Sequence, residues 1–423
     1  MDFGFAAIDI TPPPGEELTG YGYYLNRRAT GAADPIMARA LALSDGDTRA
    51  VVVQLDLLAL DPHWVSAMRA RVERKLGLPG DCLMLHCTHT HSGPAARVTF
   101  GCGRPSEHFM HALGKHILQI TQAALADLKP AGSVDSFDVD FPEGFAHNRV
   151  GGIDLDTRVR GLNIVIPGAR PILVVNYACH PVTLGVNREY SADYPGALIR
   201  ELNAYGCRAI FLTGPCGDIN PLANTVRVGP AAYETLGIYG RDLAACARSA
   251  VAESLPWQPG PLRVFSRAVS VMSDIPEPVQ LEASLEELQA KLEDDPDNGL
   301  LRVDMEWHLK MLEDLGGEIA EEEARAEIQG FVFGNAAVVA LSAETFTALG
   351  QIIRDAAPEH NVLLAATSNG VIGYIADRRD VDLKGYASLA ACKLYGMALP
   401  LPGAGEAWAS EGAALLAETI EGK

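Results

Sequence analysis

The chain has 423 residues, of which 48% are hydrophobic, and its mean hydropathy is +0.08. This supply of apolar residues suits a globular protein with one large α/β domain or two ordinary ones. The formal net charge of −20 and the isoelectric point near 4.9 argue against nucleic acid or an anionic membrane as the main partner, because both require a basic face.

We expect a protein that is neither exported nor inserted into a membrane. The segment from Met1 to Asp9 has no basic region and no long apolar region before a cleavage site, which predicts no signal peptide and a cytoplasmic protein. No apolar stretch in the sequence reaches the length that spans a bilayer. The eight cysteines form no C-x-x-C pair and lie mostly in apolar segments, which predicts free thiols in a reducing compartment.

Apolar strands alternate with amphipathic helices through the first 270 residues. The predicted strands are 50–60, 82–91, 133–141, 161–167, 171–180, 208–214 and 262–271, and the predicted helices are 62–76, 107–128, 195–205 and 231–253. Such alternation predicts an α/β fold with mixed, largely parallel sheets flanked by helices.

The pattern of apolar and charged residues changes between residues 281 and 327. Leucines recur there at spacings of three and four, beside a strongly acidic face, which predicts a helical hairpin inserted into the fold. Strands return at 330–342 and 362–367, and the chain ends in helices. We find no internal repeat and no low-complexity linker, and expect a single catalytic domain over residues 1–423.

The strongest functional signal is the run from Leu83 to Pro94, where an apolar strand ends in H-T-H-S-G-P. Two residues apart on a strand, His89 and His91 would point the same way. Other predicted strands also end in polar clusters, and the carboxyl ends of parallel strands share one rim. The residues expected to meet there are His89, His91, His180, Asp218 and Glu344. A mixed set of imidazoles and carboxylates suits Zn²⁺.

Other histidines and cysteines offer weaker alternatives. His108, His111 and His116 follow one another along a helix, but no H-E-x-x-H pattern exists, and we assign them to a partly exposed helix face. A thiol nucleophile at Cys179 or Cys216 stays open, although a small buried cysteine is the commoner explanation. His63, His308 and His360 receive no role.

Seven short motifs occur in an order and spacing that resemble the catalytic domain of the neutral (non-lysosomal) ceramidase family, from Asp9 to about Tyr386. They are Asp9-Ile10-Thr11-Pro12-Pro13, Gly20-Tyr21-Gly22, the H-T-H-S-G-P run, Asn148-Arg149, A-C-H-P at 178–181, S-A-D-Y-P-G at 191–196, and G-P-C-G-D-I-N-P at 214–221. Members of this family are zinc amidases that cleave the N-acyl bond of ceramide. The resemblance therefore implies a zinc-dependent amide hydrolase.

Carried over residue by residue, the resemblance implies one zinc ion per chain. Its ligands would be His89, His180, Glu344 and Tyr374. The tyrosine lies in a run that begins Ser368-Asn369, and a second family tyrosine twelve residues on matches Tyr386. His91 and Arg149 fall on the family's proton-handling histidine and substrate-contacting arginine.

Two departures from the family pattern bear on the substrate. The family carries a serine where this chain has Asn220, so a serine nucleophile is excluded at this position, while Asn220 could donate a hydrogen bond to the substrate. The chain also resembles a short form, without the family's signal peptide and C-terminal β-sandwich domain. Both departures favour a substrate smaller than ceramide.

The mechanism we expect is attack of a zinc-activated water on the amide carbonyl. His91 would handle the proton, Arg149 and Tyr386 would hold the substrate or the oxyanion, and Asp193 and Asp218 would orient imidazoles. The expected partner is a small N-acyl amide, with no nucleic acid and no integral membrane association, and the oligomeric state stays open. Alternatives are a true ceramidase acting on N-acylsphingosine, a zinc esterase or cyclic-amide hydrolase, and a binding protein on a retired hydrolase fold.

Overall fold

Three large sheets form the frame of the protein in a computed structural model, which describes residues 1–141, 145–151, 155–222, 229–274, 276–316 and 324–422. The main strands are β1 (Asp2–Asp9), β2 (Met37–Ser44), β3 (Arg49–Leu55) and β4 (Leu83–Cys87) in the first sheet, β5 (Ser133–Asp140), β6 (Arg158–Val165), β7 (Ile172–Tyr177) and β8 (Arg208–Thr213) in the second, and β9 (Leu262–Ser270), β10 (Arg325–Phe333), β11 (Ala336–Leu341) and β12 (Asn361–Ala365) in the third. Two-residue strands, Lys129–Pro130 and Leu255–Pro256, extend the edges of the first and second sheets.

All three sheets share one topology, so the expectation of no internal repeat was wrong. The main strands run in the order fourth, third, second, first across each sheet. The first three strands of each sheet pair antiparallel, and the fourth pairs parallel to the third. The repeat is one of strand connections rather than of residue identities, which is why inspection of the sequence missed it.

The mixed α/β class is confirmed, but the largely parallel pairing is not, since each large sheet holds one parallel pair. A helix connects the two strands of each parallel pair, as a crossover requires. The other neighbours are joined by connections without a crossover helix, such as the turn at Gly334 and Asn335 that divides the predicted strand 330–342 into β10 and β11. A Cβ at Gly334 would lie 1.8 Å from the Gln258 carbonyl oxygen, so this turn requires glycine.

Helices cover the outer face of each sheet. The helices are α1 (Pro62–Leu76), α2 (Glu107–Ala126), α3 (Asp193–Ala204), α4 (Pro230–Ala252), α5 (Pro278–Asp294), α6 (Gly299–Gly316), α7 (Thr347–Asp355), α8 (Arg378–Asp382), α9 (Ala391–Tyr395) and α10 (Ala404–Glu421). The pairs α1 and α2, α3 and α4, and α7 and α10 pack on the first, second and third sheets respectively. None of the described helices is long and apolar enough to cross a membrane.

The inner faces of the three sheets meet in one shared apolar core. Val52, Leu212 and Phe331, one from each sheet, belong to it. Their strand neighbours, such as Val51 and Val53, point outward to the helices instead, as the two-residue period of a strand requires. Both faces of each sheet are therefore buried, and the carboxyl ends of the parallel strands are brought close to one another.

The predicted helical hairpin is present as α5 and α6. It ends earlier than expected, because β10 already begins at Arg325, while 317–323 lie outside the described residues. The hairpin packs on the loops that follow the strands rather than on a sheet. Trp307 of α6 donates to the Met397 carbonyl oxygen at 2.6 Å, and Glu306 accepts a hydrogen bond from Tyr24 at 2.7 Å.

A buried histidine, His86, links the three sheets through its two ring nitrogens. His86 of β4 receives the Thr213 backbone N–H on Nε2 at 3.0 Å, and its Nδ1 lies 3.1 Å from the Ser368 hydroxyl. Thr213 ends the second sheet's fourth strand, and Ser368 follows that of the third. Burial lowers the pKa of His86 to about 3, because the imidazolium would lose its hydration.

We expect His86 to make the fold sensitive to acid. In the unfolded chain this histidine binds a proton below pH 6.5, whereas in the folded protein it does not until about pH 3. Its contribution to the free energy of unfolding is therefore fully present above pH 6.5 and falls by about 1.4 kcal/mol per pH unit as the pH drops below that value.

Urea unfolding of the wild type and of His86→Gln between pH 7.5 and 4.5 measures this effect. Glutamine retains an acceptor and a donor but does not titrate. The difference in unfolding free energy between the two proteins should shrink steadily below pH 6.5. A difference that stays constant across the range would contradict the assignment.

Candidate metal centre

Three histidines converge where the strands of the first two sheets end. His89 and His91 follow β4, and His180 follows β7. One ring nitrogen from each histidine lies within 4.8 Å of the others. The ring centroid of His89 is 5.0 Å from both other rings, and His91 and His180 are 5.8 Å apart. The predicted meeting of these imidazoles is therefore present, and the group could hold a metal ion.

The two histidines of the H-T-H run meet through a turn, not through strand alternation. The strand predicted over 82–91 ends at Cys87, and His89 has a φ of +68°, in the left-handed region. This conformation costs a residue other than glycine roughly 1–2 kcal/mol. It is held in place by the His89 backbone N–H, which donates to the Leu57 carbonyl oxygen at 2.9 Å.

Backbone carbonyls set the orientation of two of the rings. Nδ1 of His89 lies 2.9 Å from the Leu58 carbonyl oxygen, and Nδ1 of His180 lies 2.9 Å from that of Ile219. Because a carbonyl only accepts hydrogen bonds, each Nδ1 must carry the proton. The Nε2 atoms of both rings are then left with lone pairs, the form in which imidazole binds a metal.

Both Nε2 atoms face one carboxylate. Glu344, just beyond β11, places Oε2 3.1 Å from Nε2 of His89 and 3.1 Å from Nε2 of His180. Burial raises the pKa of the Glu344 carboxyl, whereas positive charge at the two histidines lowers it well below its usual range; with both imidazoles neutral, a bound cation would supply that charge. Three electron-pair donors thus converge without a proton between them, and such a set fits a cation with nitrogen and oxygen ligands.

Tyr374, Arg149 and Tyr386 lie together beside these ligands. The Tyr374 hydroxyl is 3.5 Å from Nε2 of His180 and accepts a hydrogen bond of 2.8 Å from Arg149 Nη2. The Arg149 guanidinium lies 5.4 and 5.1 Å from the ring centroids of Tyr374 and Tyr386. Tyr386 is 46% exposed, so its ring is accessible from solvent, whereas Tyr374 is buried.

Asn220 lies near the centre, directly after Ile219, the residue whose carbonyl orients His180. It pairs with His147 across a short two-stranded ladder. The side chain is 8% exposed, and its Oδ1 has no hydrogen-bond partner among the described residues. A substrate or a water could satisfy this atom.

The expectation that Asp193 and Asp218 orient imidazoles was wrong. Asp218 accepts from the Thr347 backbone and hydroxyl at 2.9 Å and from Asn148 at 2.8 Å. Asp193 accepts from the backbone of Leu184 and Tyr194. Both carboxylates hold loops in position, because backbone carbonyls already occupy the orienting role at the rings.

His91 differs from the other two rings. Neither of its ring nitrogens has a hydrogen-bond partner among the described residues. Burial, together with His89 and His180, lowers the pKa of His91 well below its usual value. The ring packs between Tyr21, whose centroid is 4.9 Å away, and Gly20, where a Cβ would lie 2.6 Å from the imidazole.

Four residues beside the centre received no role from the sequence: Tyr21, Arg27, Arg97 and Tyr395. Tyr395 donates to Oε1 of Glu344 at 2.5 Å, and the Arg97 guanidinium lies 4.5 Å from the Tyr395 ring centroid. Arg27 donates to the His91 carbonyl oxygen at 3.2 Å. Of these four residues, only Tyr21 could have been singled out from the sequence, because it lies inside the G-Y-G motif quoted above.

The structure does not support the other candidate residues, which are the histidines of α2 and two cysteines. His108, His111 and His116 lie on α2, apart from the three-histidine group. Cys179 and Cys216 are buried, and burial raises the pKa of both thiols well above the usual value. A neutral buried thiol is a poor nucleophile.

Comparison with solved structures identifies the fold. A neutral ceramidase from Pseudomonas aeruginosa superimposes with a TM-score of 0.77 over 99% of this chain and 74% of its own, at 18% sequence identity. The chain has the neutral ceramidase fold. A ceramidase complexed with C2 is similar at a TM-score of 0.75 and 18% identity, over 99% of this chain and 75% of the other. No protein-family model and no curated protein sequence matches the chain.

On this neutral ceramidase fold, Gly20 is expected to control the position of His91. Alanine at position 20 would place a Cβ 2.6 Å from the imidazole, where the φ is also +99°. We expect Gly20→Ala to push the ring towards His89 and His180, whose ring centroids lie 5.0 and 5.8 Å from it, and so to weaken metal binding at least about tenfold, the lower end of what a disturbed ligand environment costs at metal sites. Competition with a chelator measures the affinity.

Gly15→Ala is the matched control for this experiment. Its φ of +117° imposes comparable backbone strain, but no atom lies within 4 Å of the added methyl group. Thermal unfolding should show similar small losses of stability in both variants, while only Gly20→Ala loses metal affinity. Equal affinities in the two variants would contradict a role for the His91 position in the centre.

Proposed function

We propose that this protein is a zinc-dependent hydrolase that cleaves linear amide bonds in N-acyl amides smaller than ceramide. The observation that carries the proposal is the convergence of the His89 and His180 lone pairs on Glu344, with the unpartnered ring of His91 beside them. The likeness to neutral ceramidase structures supports the same class of reaction.

We assign zinc to His89, His180, Glu344 and Tyr374. Imidazole and oxygen ligands in this number suit Zn²⁺, and imidazoles fixed through Nδ1 by backbone carbonyls are typical of metal ligands. A bound zinc ion supplies a Lewis acid that polarises an amide carbonyl and lowers the pKa of a water.

His91 is assigned to proton transfer because it lacks the backbone anchor that the other two rings have. With its pKa lowered by burial, it is neutral at pH 7 and has a nitrogen ready to accept a proton. In the proposed reaction it takes a proton from the attacking water and returns it to the leaving amine, as a general base and then a general acid.

Arg149 and Tyr386 are assigned to the substrate carbonyl. Arg149 is held by the Gly217 carbonyl oxygen at 2.7 Å and by Tyr374 at 2.8 Å, so its charge is fixed beside the ligands before a substrate arrives. A positioned cation of this kind stabilises the negative charge that develops on the carbonyl oxygen, commonly by about 3 kcal/mol. The exposed ring of Tyr386 and the unpartnered Oδ1 of Asn220 would contact the rest of the substrate.

The preference for a small substrate is supported by a cavity beyond Tyr21, the ring that packs on His91. It encloses about 200 Å³, and Tyr21 forms part of its wall. Pockets for drug-sized ligands usually enclose roughly 300–1,000 Å³ and are mainly apolar. This cavity is lined by charged side chains as well, including Glu17, Arg27 and Arg104. Such walls suit a polar group better than a long hydrocarbon chain.

Replacement of His180 tests the metal assignment. We expect His180→Ala to lose stoichiometric zinc and at least about a thousandfold in kcat/KM on a short N-acyl amide, since the centre would lose a ligand and the anchor of Glu344. His111→Ala, on the exposed face of α2, is the control and should keep both zinc and activity. Full zinc content and turnover in His180→Ala would refute the proposal.

A substrate panel tests the reaction itself. Zinc-loaded protein should hydrolyse N-acyl amines with short chains faster than long-chain N-acylsphingosines and faster than matched esters. Cleavage of N-acylsphingosine alone would identify a true ceramidase, and preference for esters would identify an esterase. Stoichiometric zinc without turnover of any member would favour a binding protein.

A further inference from the structure

Arginines without acidic partners surround the metal centre. Arg27, Arg97 and Arg149 all contact groups at the centre, and among the described residues no carboxylate oxygen lies within 4 Å of any of the three guanidinium groups. The one carboxylate at the centre, Glu344, faces the two imidazoles instead. The site is therefore rich in positive charge, although the chain as a whole carries −20.

Arg27 is the most unusual of the three because it is buried. It is 5% exposed, and its three hydrogen bonds go to the backbone carbonyls of Asn187, Thr19 and His91 at 3.0–3.2 Å. The Tyr21 ring centroid lies 5.1 Å from the guanidinium carbon. A guanidinium has five N–H donors, so two stay available. Burying an arginine without a counter-ion is costly, which suggests that an anion binds there.

Arg27 also lines the cavity beyond Tyr21, the ring that packs on His91. Arg104 lines the same cavity, and no carboxylate oxygen of the described residues lies within 4 Å of its guanidinium either. The acids there are engaged: Glu17 pairs with Arg28 at 2.5 Å, and Glu306 accepts from Tyr24. Two guanidinium groups and two carboxylates thus line the cavity, but neither guanidinium forms an ion pair with either carboxylate.

One side chain separates this cavity from the metal centre. Tyr21 lines the cavity and packs on the His91 ring, while Arg27 holds the His91 carbonyl. A substrate whose amide lies at the metal centre could therefore place a group a few bonds away into the cavity. Guanidinium groups bind carboxylates through two parallel hydrogen bonds, which gives geometric selectivity as well as charge.

We propose that this cavity binds a carboxylate of the substrate, and that the preferred substrates are N-acyl amides bearing a carboxylate, such as N-acyl amino acids. The inference rests on the proposed amide hydrolysis and narrows its substrate class. The carboxylate can belong to the amine half or to the acyl half of the amide, and the experiment separates these two sources.

Pairs of matched substrates test the proposal on zinc-loaded wild-type protein. N-hexanoylglycine against N-hexanoylglycinamide places the charge on the amine half, and N-butylsuccinamic acid against N-butylsuccinamide places it on the acyl half. We expect kcat/KM to favour the anion at least about tenfold in one pair, the effect of a hydrogen bond to a charged group. Equal values within both pairs would overturn the proposal.

Variants locate the source of the selectivity. Arg27→Gln should reduce the ratio of anionic to neutral kcat/KM towards one, mainly through a higher KM for the anion, and Arg104→Gln should reduce it a few-fold. Arg267→Gln, which is exposed on β9 and outside the cavity, should leave the ratio unchanged. The ratio within one protein does not depend on how much of that protein is folded, so a folding defect cannot imitate the result. An unchanged ratio in Arg27→Gln would overturn the assignment.

Calorimetry distinguishes a failure of this proposal from a failure of the hydrolase. Without zinc, a carboxylate cannot bind the metal directly, so the metal-free full chain should still bind N-hexanoylglycine at least about tenfold more tightly than the glycinamide. If no amide is hydrolysed but this preference is present, the reaction is wrong and the carboxylate site stands. If neutral amides are hydrolysed and neither assay favours the anion, the hydrolase stands and the carboxylate site is wrong.

Discussion

The candidate metal centre depends on where two imidazoles carry their ring protons. His89 and His180 each give Nδ1–H to a backbone carbonyl, and this leaves Nε2 of each ring unprotonated against the same Glu344 oxygen. A carboxylate and two lone pairs at 3.1 Å repel one another unless a cation lies among them. The loops that supply the two carbonyls therefore leave both Nε2 atoms in the form that can bind a metal ion, and the left-handed turn at His89 helps to place one of them.

The repeated topology explains where these groups come from. Leu58, His180 and Glu344 each lie three residues beyond the end of the third strand of their sheets. The first supplies the carbonyl that orients His89, and the other two are proposed metal ligands. His89 and Thr367 each lie two residues beyond a fourth strand, and both have left-handed φ values. One backbone arrangement thus provides equivalent positions in three sheets, and the side chains placed there differ in role.

The sequence predicted which strands lead into the site, but it placed the ends of those strands three to five residues too late and did not predict how the strands are linked. His89, His91 and His180 could be found because each ends an apolar run, and two-residue spacing or a tight turn marks them. The antiparallel pairs, the repeat and the roles of Tyr395 and Arg97 could not, because they depend on contacts between segments far apart in the chain. The misassigned roles of Asp193 and Asp218 have the same cause, since a carboxylate in a motif cannot be distinguished from a loop anchor until its partners are known.

The charge around the centre is opposite in sign to the net charge of the chain. In a chain of net charge −20, cations placed at the centre are an exception that folding stability alone does not explain, because a buried guanidinium without a counter-ion is costly. Arg149 is fixed next to the ligands, whereas Arg27 is fixed on the far side of His91, beside a small cavity. The first position suits charge that develops on a carbonyl oxygen during reaction, and the second suits charge that a substrate already carries. In the proposed hydrolase, one arginine would thereby serve the rate of reaction and the other the recognition of the substrate.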